Sequence, residues 1–268
     1  MPNIQTSDAN IYYDVQGRGE PVLLIAGFAG DHSAWSGIAQ DLAASFQVIS
    51  FDNRGTGRTK ANVEDLSICQ MASDAAALID ALEIEAAHVV GYSMGGMIAQ
   101  ELALAKPDRV RSLALIACCA RLDARGKFLI EQWGDLPQHF DAATVTHIIL
   151  PWTMTNRFFA TPGAVEEFVA QVLAHPHPPT LEGLYAQSRA ISACDTLARL
   201  NQIACPTLVL TGREDIVFPV VAAEQLAKAI PQAKLTILEK TGHGISAETP
   251  KDVAHALIDF LGGVSTKH

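Results

Sequence analysis

Ala87-His88-Val89-Val90-Gly91-Tyr92-Ser93-Met94-Gly95-Gly96-Met97 is the stretch that decides the fold. Residues 88–90 form a short apolar segment of β type, and from Met97 the spacing turns helical. Between the two lies Gly-x-Ser-x-Gly. A serine at such a strand-to-helix corner occupies a sharp, strained turn that lifts its hydroxyl clear of the sheet. Gly91 and Gly95 stand two residues either side of it, where a Cβ would collide with the neighbouring strand and helix. By composition alone the five-residue pattern arises in a chain of 268 residues roughly one time in ten, so its place between strand and helix carries the signal.

Upstream of that corner, residues 11–15 and 21–25 read as a β-hairpin turning at Gln16-Gly17-Arg18-Gly19. Val22-Leu23-Leu24-Ile25 is apolar throughout, as in a strand covered on both faces. Ala26-Gly27-Phe28-Ala29-Gly30 then leads to a helical stretch holding Trp35, Ile38 and Leu42, followed by a strand at 48–51 and a helix at 68–82. Downstream, a helix at 94–105 is stopped by Pro107, and 113–117 is a strand. Strands alternating with helices at this spacing predict an α/β chain with a parallel sheet covered by helices.

The alternation lapses between Arg121 and Leu200, where helical patterns are interrupted by Pro137, Pro151, Pro162 and Pro176-His177-Pro178-Pro179. It resumes with a strand at 207–210, a helix at 220–230, a strand at 234–238 and a last helix. That helix has Thr249 as N-cap, Pro250 at its first position and Gly262-Gly263 as its stop. The chain is therefore expected to divide into a core, residues 1–120 and 201–268, and a helical cap or lid, residues 121–200.

A serine hydroxyl is a weak nucleophile until a base takes its proton and a carboxylate orients that base. After Ser93, Thr211-Gly212-Arg213-Glu214-Asp215 follows a strand, and Thr241-Gly242-His243-Gly244 follows the last one. Both turns belong at the carboxyl end of the sheet, where Ser93 also emerges. The candidate catalytic set is Ser93, Asp215 and His243, with Glu214 the rival for the acid. The oxyanion formed on attack needs fixed N–H donors. One is the amide of Met94 at a helix N-terminus; the second is assigned to the amide of Phe28 in the loop after Ile25.

Gly91-Tyr92-Ser93-Met94-Gly95-Gly96, Asp52-Asn53-Arg54-Gly55-Thr56-Gly57, Gly212-Arg213-Glu214-Asp215 and Gly242-His243 together resemble the α/β-hydrolase superfamily over nearly the whole chain except the cap. Within it the chain is similar to small bacterial carboxylic-ester hydrolases, especially 3-oxoadipate enol-lactonases and aminoacrylate-type hydrolases. The resemblance implies a mostly parallel central sheet with the cap inserted after the sixth strand. It also implies that the Asp52–Gly57 segment is structural. Two departures stand out. Many relatives carry His-Gly where this chain has Ala26-Gly27, and those that cleave carbon–carbon bonds often have Trp where this chain has Gly244.

The expected activity is hydrolysis of a small carboxylic ester or lactone through an acyl-enzyme on Ser93, without a cofactor or metal. The same triad can serve carbon–carbon bond hydrolysis or perhydrolysis, and a ligand receptor with negligible turnover is the reading from another class. Substrate contacts are sought in the cap, at Trp152, Phe158 and Arg121, with Arg125, Arg157 and Arg189 as further basic candidates. Phe159 reads as cap core, and His175 and His177 as solvated. Composition narrows the partners. A net charge of −10 without a basic cluster disfavours nucleic acid and anionic membrane. The opening Met1-Pro2-Asn3-Ile4-Gln5 lacks a signal-peptide pattern, and no apolar run is long enough to span a bilayer. Five cysteines without C-x-x-C spacing read as reduced thiols of a cytoplasmic protein; a homo-oligomer is left open.

Overall fold

The computed structural model describes residues 2–265; Met1 and residues 266–268, the outer ends of the expected core, lie outside them. Among the described residues nine strands form one sheet: β1 (Asn3–Gln5), β2 (Ala9–Gly17), β3 (Glu20–Ile25), β4 (Phe46–Phe51), β5 (Lys60–Ala61), β6 (Ala87–Tyr92), β7 (Val110–Ile116), β8 (Thr207–Gly212) and β9 (Lys234–Leu238). Their order is β1-β2-β4-β3-β6-β7-β8-β9, with β5 on the side of β2. From β4 through β9 every pairing is parallel, while β2 runs antiparallel to β1, β4 and β5.

The expected hairpin of residues 11–15 and 21–25 does not form. β4 lies between β2 and β3, antiparallel to one and parallel to the other. The cause is legible in β3, where alternate residues face opposite sides. Val22 and Leu24 enter one core with Trp35, Leu42, Val253 and Leu257. Leu23 and Ile25 enter the other with Met71, Leu78, Met97 and Ile98. A strand so buried belongs inside the sheet with parallel neighbours on both edges, here β4 and β6.

The helices follow the same two faces. α1 (Ser36–Leu42) lies beside the C-terminal helix on one side, and α2 (Ile68–Ala81) packs on α3 (Met94–Ala105) on the other. Between β7 and β8 come α4 (Ala124–Asp135), α5 (Ala142–Thr153), α6 (Asn156–Ala160), α7 (Ala164–Leu173) and α8 (Leu181–Ala193). With the two-residue β5 left aside, β7 is the sixth strand in chain order. Asp123, Asp141 and Thr180 cap α4, α5 and α8 by accepting from Gly126, Thr144 and Gly183 N–H. Pro151 does not interrupt its helix as expected; it sits inside α5, two residues before the end. α9 (Val220–Ala229), α10 (Ile245–Glu248) and α11 (Pro250–Ser265) complete the chain.

Gly262-Gly263 does not stop the last helix. Glycine costs a helix about 1 kcal/mol against alanine, but Leu261 and Val264 beside the pair are buried and hold the turn. Nor does the Thr249 hydroxyl cap it: that hydroxyl lies 3.2 Å from the Ile245 carbonyl, to which it donates, and the Thr249 carbonyl takes the first helical bond, from Val253.

The Asp52–Gly57 loop anchors this arrangement. Arg54, 2% exposed, donates to Asp74 through Nε (2.5 Å) and Nη2 (2.7 Å) and to both oxygens of Asp8. The Gly55 backbone meets that of Gly183 in α8 so closely that a Cβ on Gly183 would lie 2.5 Å from Gly55 Cα. α8 is thus docked directly on the sheet side of the molecule. Among the described residues no helix is long and apolar enough to cross a membrane, and all five cysteines are free thiols.

Candidate active site

β6 ends at Tyr92 and α3 begins at Met94, leaving Ser93 to make the whole turn with φ +54° and ψ −118°. Such a conformation costs a non-glycine residue of order 1–3 kcal/mol and persists only when its surroundings over-determine it. They do. Ser93 N–H donates to Ile116 O (2.9 Å) on β7, and Gly96 N–H donates back to Ser93 O (2.9 Å). A Cβ on Gly91 would overlap the Gly95 carbonyl; one on Gly95 would overlap Ile25 O and lie 2.7 Å from Ala26 O. The two glycines let β3, β6 and α3 converge on the serine.

The turns after β8 and β9 bring Asp215 and His243 to the same end of the sheet. His243 Nε2 is 3.0 Å from Ser93 Oγ, and its Nδ1 is 2.9 Å from Asp215 Oδ2. Asp215 Oδ1 accepts from Val217 N–H (2.9 Å) and Phe218 N–H (2.8 Å). Each carboxylate oxygen therefore has its own donors, which fixes the plane of the group. Glu214, the rival, is exposed. The three side chains lie in residues only 3–8% exposed. The Phe218 ring stands edge-on to the imidazole at 5.1 Å, and Tyr92 Oη donates to His243 O at 2.9 Å. Burial first, and then the Asp215 and Glu248 carboxylates, push the Tyr92 phenol well above its ordinary range, so it stays a neutral donor.

The loop after β3 lies against the serine: a Cβ on Gly27 would come within 3.1 Å of Ser93 Cβ. Among the described residues neither the Phe28 nor the Met94 N–H has a hydrogen-bond partner. The Phe28 ring is half-buried against the core. Gln187 of α8, fully buried, grips the same loop, accepting from Ala29 N–H (3.0 Å) and donating to Arg54 O (2.7 Å).

The candidate substrate contacts of the inserted segment have the following surroundings. Trp152 is exposed on α5. Phe158 stacks edge-on to Phe159 and Phe168 within the insert. Arg121 is exposed and faces Asp195 at 3.6 Å. Of the other basic candidates, Arg189 pairs with Glu131 and Asp135. Arg125 and Arg157 reach the Ile216 and Glu248 carbonyls at 3.5 and 3.4 Å. His175 is not simply solvated as expected. Its Nε2 lies 3.3 Å from Asp31 Oδ2 and 3.2 Å from Ser33 Oγ, tying the α7–α8 loop to the core.

Sequence reading missed Tyr92 Oη, Gln187, Thr155 and Glu248. Each acts on a partner far along the chain, and none falls in a pattern with its partner. Gly244 lies close against the end of α5: a Cβ there would lie 2.6 Å from Met154 Sδ, the mobile end of that side chain, and 3.3 Å from Thr153 O.

Two further clusters bear on cofactor chemistry. Asp31, His32 and Asp52 bring potential metal-ligand atoms within 4.8 Å of one another. Asp52 is, however, engaged by the His32 ring (2.6 Å), His32 N–H (2.9 Å) and Arg58 N–H (2.7 Å). The Asp52 contact raises the His32 imidazole above its ordinary value of 6.5. Burial pushes Asp52 up, but bonds from His32 and Arg58 outweigh it and hold the carboxyl below 3.8. Cys118 and Cys119 are buried, and burial drives both thiols well above their ordinary range, away from thiolate chemistry.

Comparison with known proteins identifies the family and the fold. Residues 20–250 match the family model described as alpha/beta hydrolase fold. The chain is 34% identical to "Putative carbamate hydrolase RutD" of Azorhizobium caulinodans, over 98% of this chain and 99% of that protein. The crystal structure of "Putative non-heme bromoperoxidase BpoC" from Mycobacterium tuberculosis superposes with a TM-score of 0.86 at 30% identity, covering 95% of this chain and 96% of that one. The enol-lactonase from Burkholderia xenovorans shares the fold with a TM-score of 0.89 at 24% identity, covering 97% and 100%.

Proposed function

The chain belongs to the α/β-hydrolase family, and on that premise we propose that it is a serine hydrolase cleaving a small carboxylic ester or lactone. The observation that carries the reading is the continuous line from Ser93 Oγ through His243 to Asp215, at 3.0 and 2.9 Å. His243 Nε2 accepts the Ser93 proton as Oγ attacks the carbonyl carbon. The oxyanion forms beside the Phe28 and Met94 amides, where losing one such donor typically costs about 3–4 kcal/mol of barrier. His243 then gives the proton to the leaving oxygen. Water, deprotonated by the same ring, releases the acid from Ser93, while Asp215 holds the Nδ1–H tautomer throughout.

The inserted helices of residues 121–200 act in this reading as a cap. A nucleophile residue only 8% exposed suits a small substrate entering beneath them. Acyl chemistry at a carbonyl extends to carbamates, and the 34% identity to a protein bearing the carbamate hydrolase name puts a carbamate on the substrate panel. The test is Ser93→Ala against p-nitrophenyl acetate, together with mass spectrometry of the acylated wild-type protein. The variant is expected to fold and to lose turnover, and the wild type to carry the acyl mass on Ser93. Wild-type turnover in Ser93→Ala would remove the mechanism.

A further inference from the structure

The histidine of the candidate triad sits between two glycines, one held by the end of α5 and the other by Glu248 of α10, which the α5–α6 junction engages in turn. Gly244 N–H donates to Thr153 O at the end of α5 (2.7 Å). On the other side Gly242 N–H donates to Glu248 Oε2 (3.0 Å). The second oxygen of the same carboxylate, Oε1, accepts from Thr155 Oγ1 (2.5 Å) and Thr155 N–H (3.2 Å). Thr155 is 4% exposed, and Arg157 Nη2 reaches the Glu248 carbonyl. The approach is close on both sides. A Cβ on Gly242 would lie 2.9 Å from Thr153 O and 3.0 Å from Glu248 Oε2, and one on Gly244 would lie 2.6 Å from Met154 Sδ.

From this arrangement we infer that Glu248 and Thr155 are positioning residues that make the placement of His243 depend on the seating of α5 and the α5–α6 junction. The inference rests on the reading of His243 as the base. The loop after β9 has its inner side fixed by Tyr92, which donates to the His243 carbonyl. On its outer side Thr153 O and Glu248 Oε2 supply the acceptors, and Thr155 donates to the other Glu248 oxygen. Glu248 is the link, because only a group with two acceptor oxygens takes the Gly242 amide and the two Thr155 donors together. When α5 is seated, the ring is held at hydrogen-bond distance from Ser93 Oγ. When the α5–α6 junction lifts, the Gly244 amide loses its acceptor and Glu248 loses the Thr155 donors that aim it at the Gly242 amide, so the ring loses its outer restraint. Substrate entry beneath the helices and assembly of the base are thereby coupled.

The decisive variants are Glu248→Gln and Thr155→Val, with Thr155→Ser as rescue. In Glu248→Gln one oxygen becomes NH2, which faces an N–H or O–H donor whichever way the amide turns. Thr155→Val keeps shape and removes the hydroxyl; Thr155→Ser returns it. Steady-state hydrolysis of p-nitrophenyl acetate and the rate of Ser93 labelling by a fluorophosphonate are measured with the melting temperature of each protein. A misplacement of about 1 Å in reacting groups costs on the order of 100-fold. Glu248→Gln and Thr155→Val are therefore expected to lower kcat and the labelling rate about 10- to 100-fold with KM nearly unchanged, and Thr155→Ser to restore both. Wild-type kcat and labelling in folded Glu248→Gln would overturn the inference, even with a lowered melting temperature, since that is a structural role alone. Should Thr155→Val fail to fold, Glu248→Gln and Thr155→Ser still decide. A wild-type protein that is neither labelled nor turns over ester would instead sink the reading of the triad.

Discussion

Asp215→Asn is the sharpest perturbation the site allows, because the structure dictates which way the new amide must point. Oδ1 of Asp215 accepts two backbone N–H groups, from Val217 and Phe218, at 2.9 and 2.8 Å. Turning the amide so that its NH2 faced those donors would lose both hydrogen bonds and set donor against donor, at a cost of about 1–3 kcal/mol per buried group. The asparagine oxygen therefore stays on that side, and the NH2 faces His243 Nδ1, now 2.9 Å from Oδ2. Nδ1 must then accept, the ring proton moves to Nε2, and Nε2 donates to Ser93 Oγ where a base is required. The same exchange in a serine protease triad lowers kcat about 10⁴-fold with the geometry intact, equivalent to about 5 kcal/mol of barrier. The assay is kcat on p-nitrophenyl acetate and the fluorophosphonate labelling rate, with melting temperature as the control for folding. A folded Asp215→Asn protein retaining more than about a tenth of wild-type kcat would refute the assignment of the ring tautomer, and with it the role of Asp215.

Two other outcomes follow from the packing and electrostatics. Gly95→Ala sets a Cβ against the Ile25 and Ala26 carbonyls and is expected to destabilise by about 1–3 kcal/mol or more. Gly262→Ala, with nothing within 4 Å of its Cβ in α11, is expected to stabilise by up to about 1 kcal/mol; denaturant melts of both check the pair, and equal effects would refute it. The His32–Asp52 contact makes stability pH-dependent. His32 is raised above 6.5 in the folded chain, so its contribution is complete below that value and fades as pH rises through the raised one. Asp52 is held below 3.8, so its contribution is complete above 3.8 and fades as pH falls through the lowered one. The melting-temperature difference between wild type and His32→Gln should therefore be largest between these limits and shrink above them; a flat difference from pH 5 to 9 counts against the pairing.

The elements legible in the chain are those whose constraint is local. Gly91 and Gly95 announced the corner because the clash they avoid lies within a few residues or against the adjoining strand. The order Ser93, Asp215, His243 was readable because each follows a strand, and parallel strands deliver their following turns to one end of the sheet. The run Val22 to Ile25 declared a doubly covered strand for the same reason: alternation is a property of the strand itself. Its pairing partner was another matter. The glycine turn at Gln16–Gly19 is compatible with a hairpin, and only the competing burial of β4 decides against it. The apolar residues at 261 and 264 likewise override the helix-breaking tendency of Gly262-Gly263.

By itself, then, the sequence determined the α/β alternation, the strained serine corner and the identity of the three residues that meet there. Tertiary structure decided the sheet order, the grip of Gln187 on the loop beside the serine, and the contact of Thr155 with Glu248 beside Gly242. Thr155 and Glu248 lie 93 positions apart. A hydrogen bond between side chains so distant leaves no periodicity or spacing in the chain; it exists only once the packing of the helices has brought donor and acceptor together.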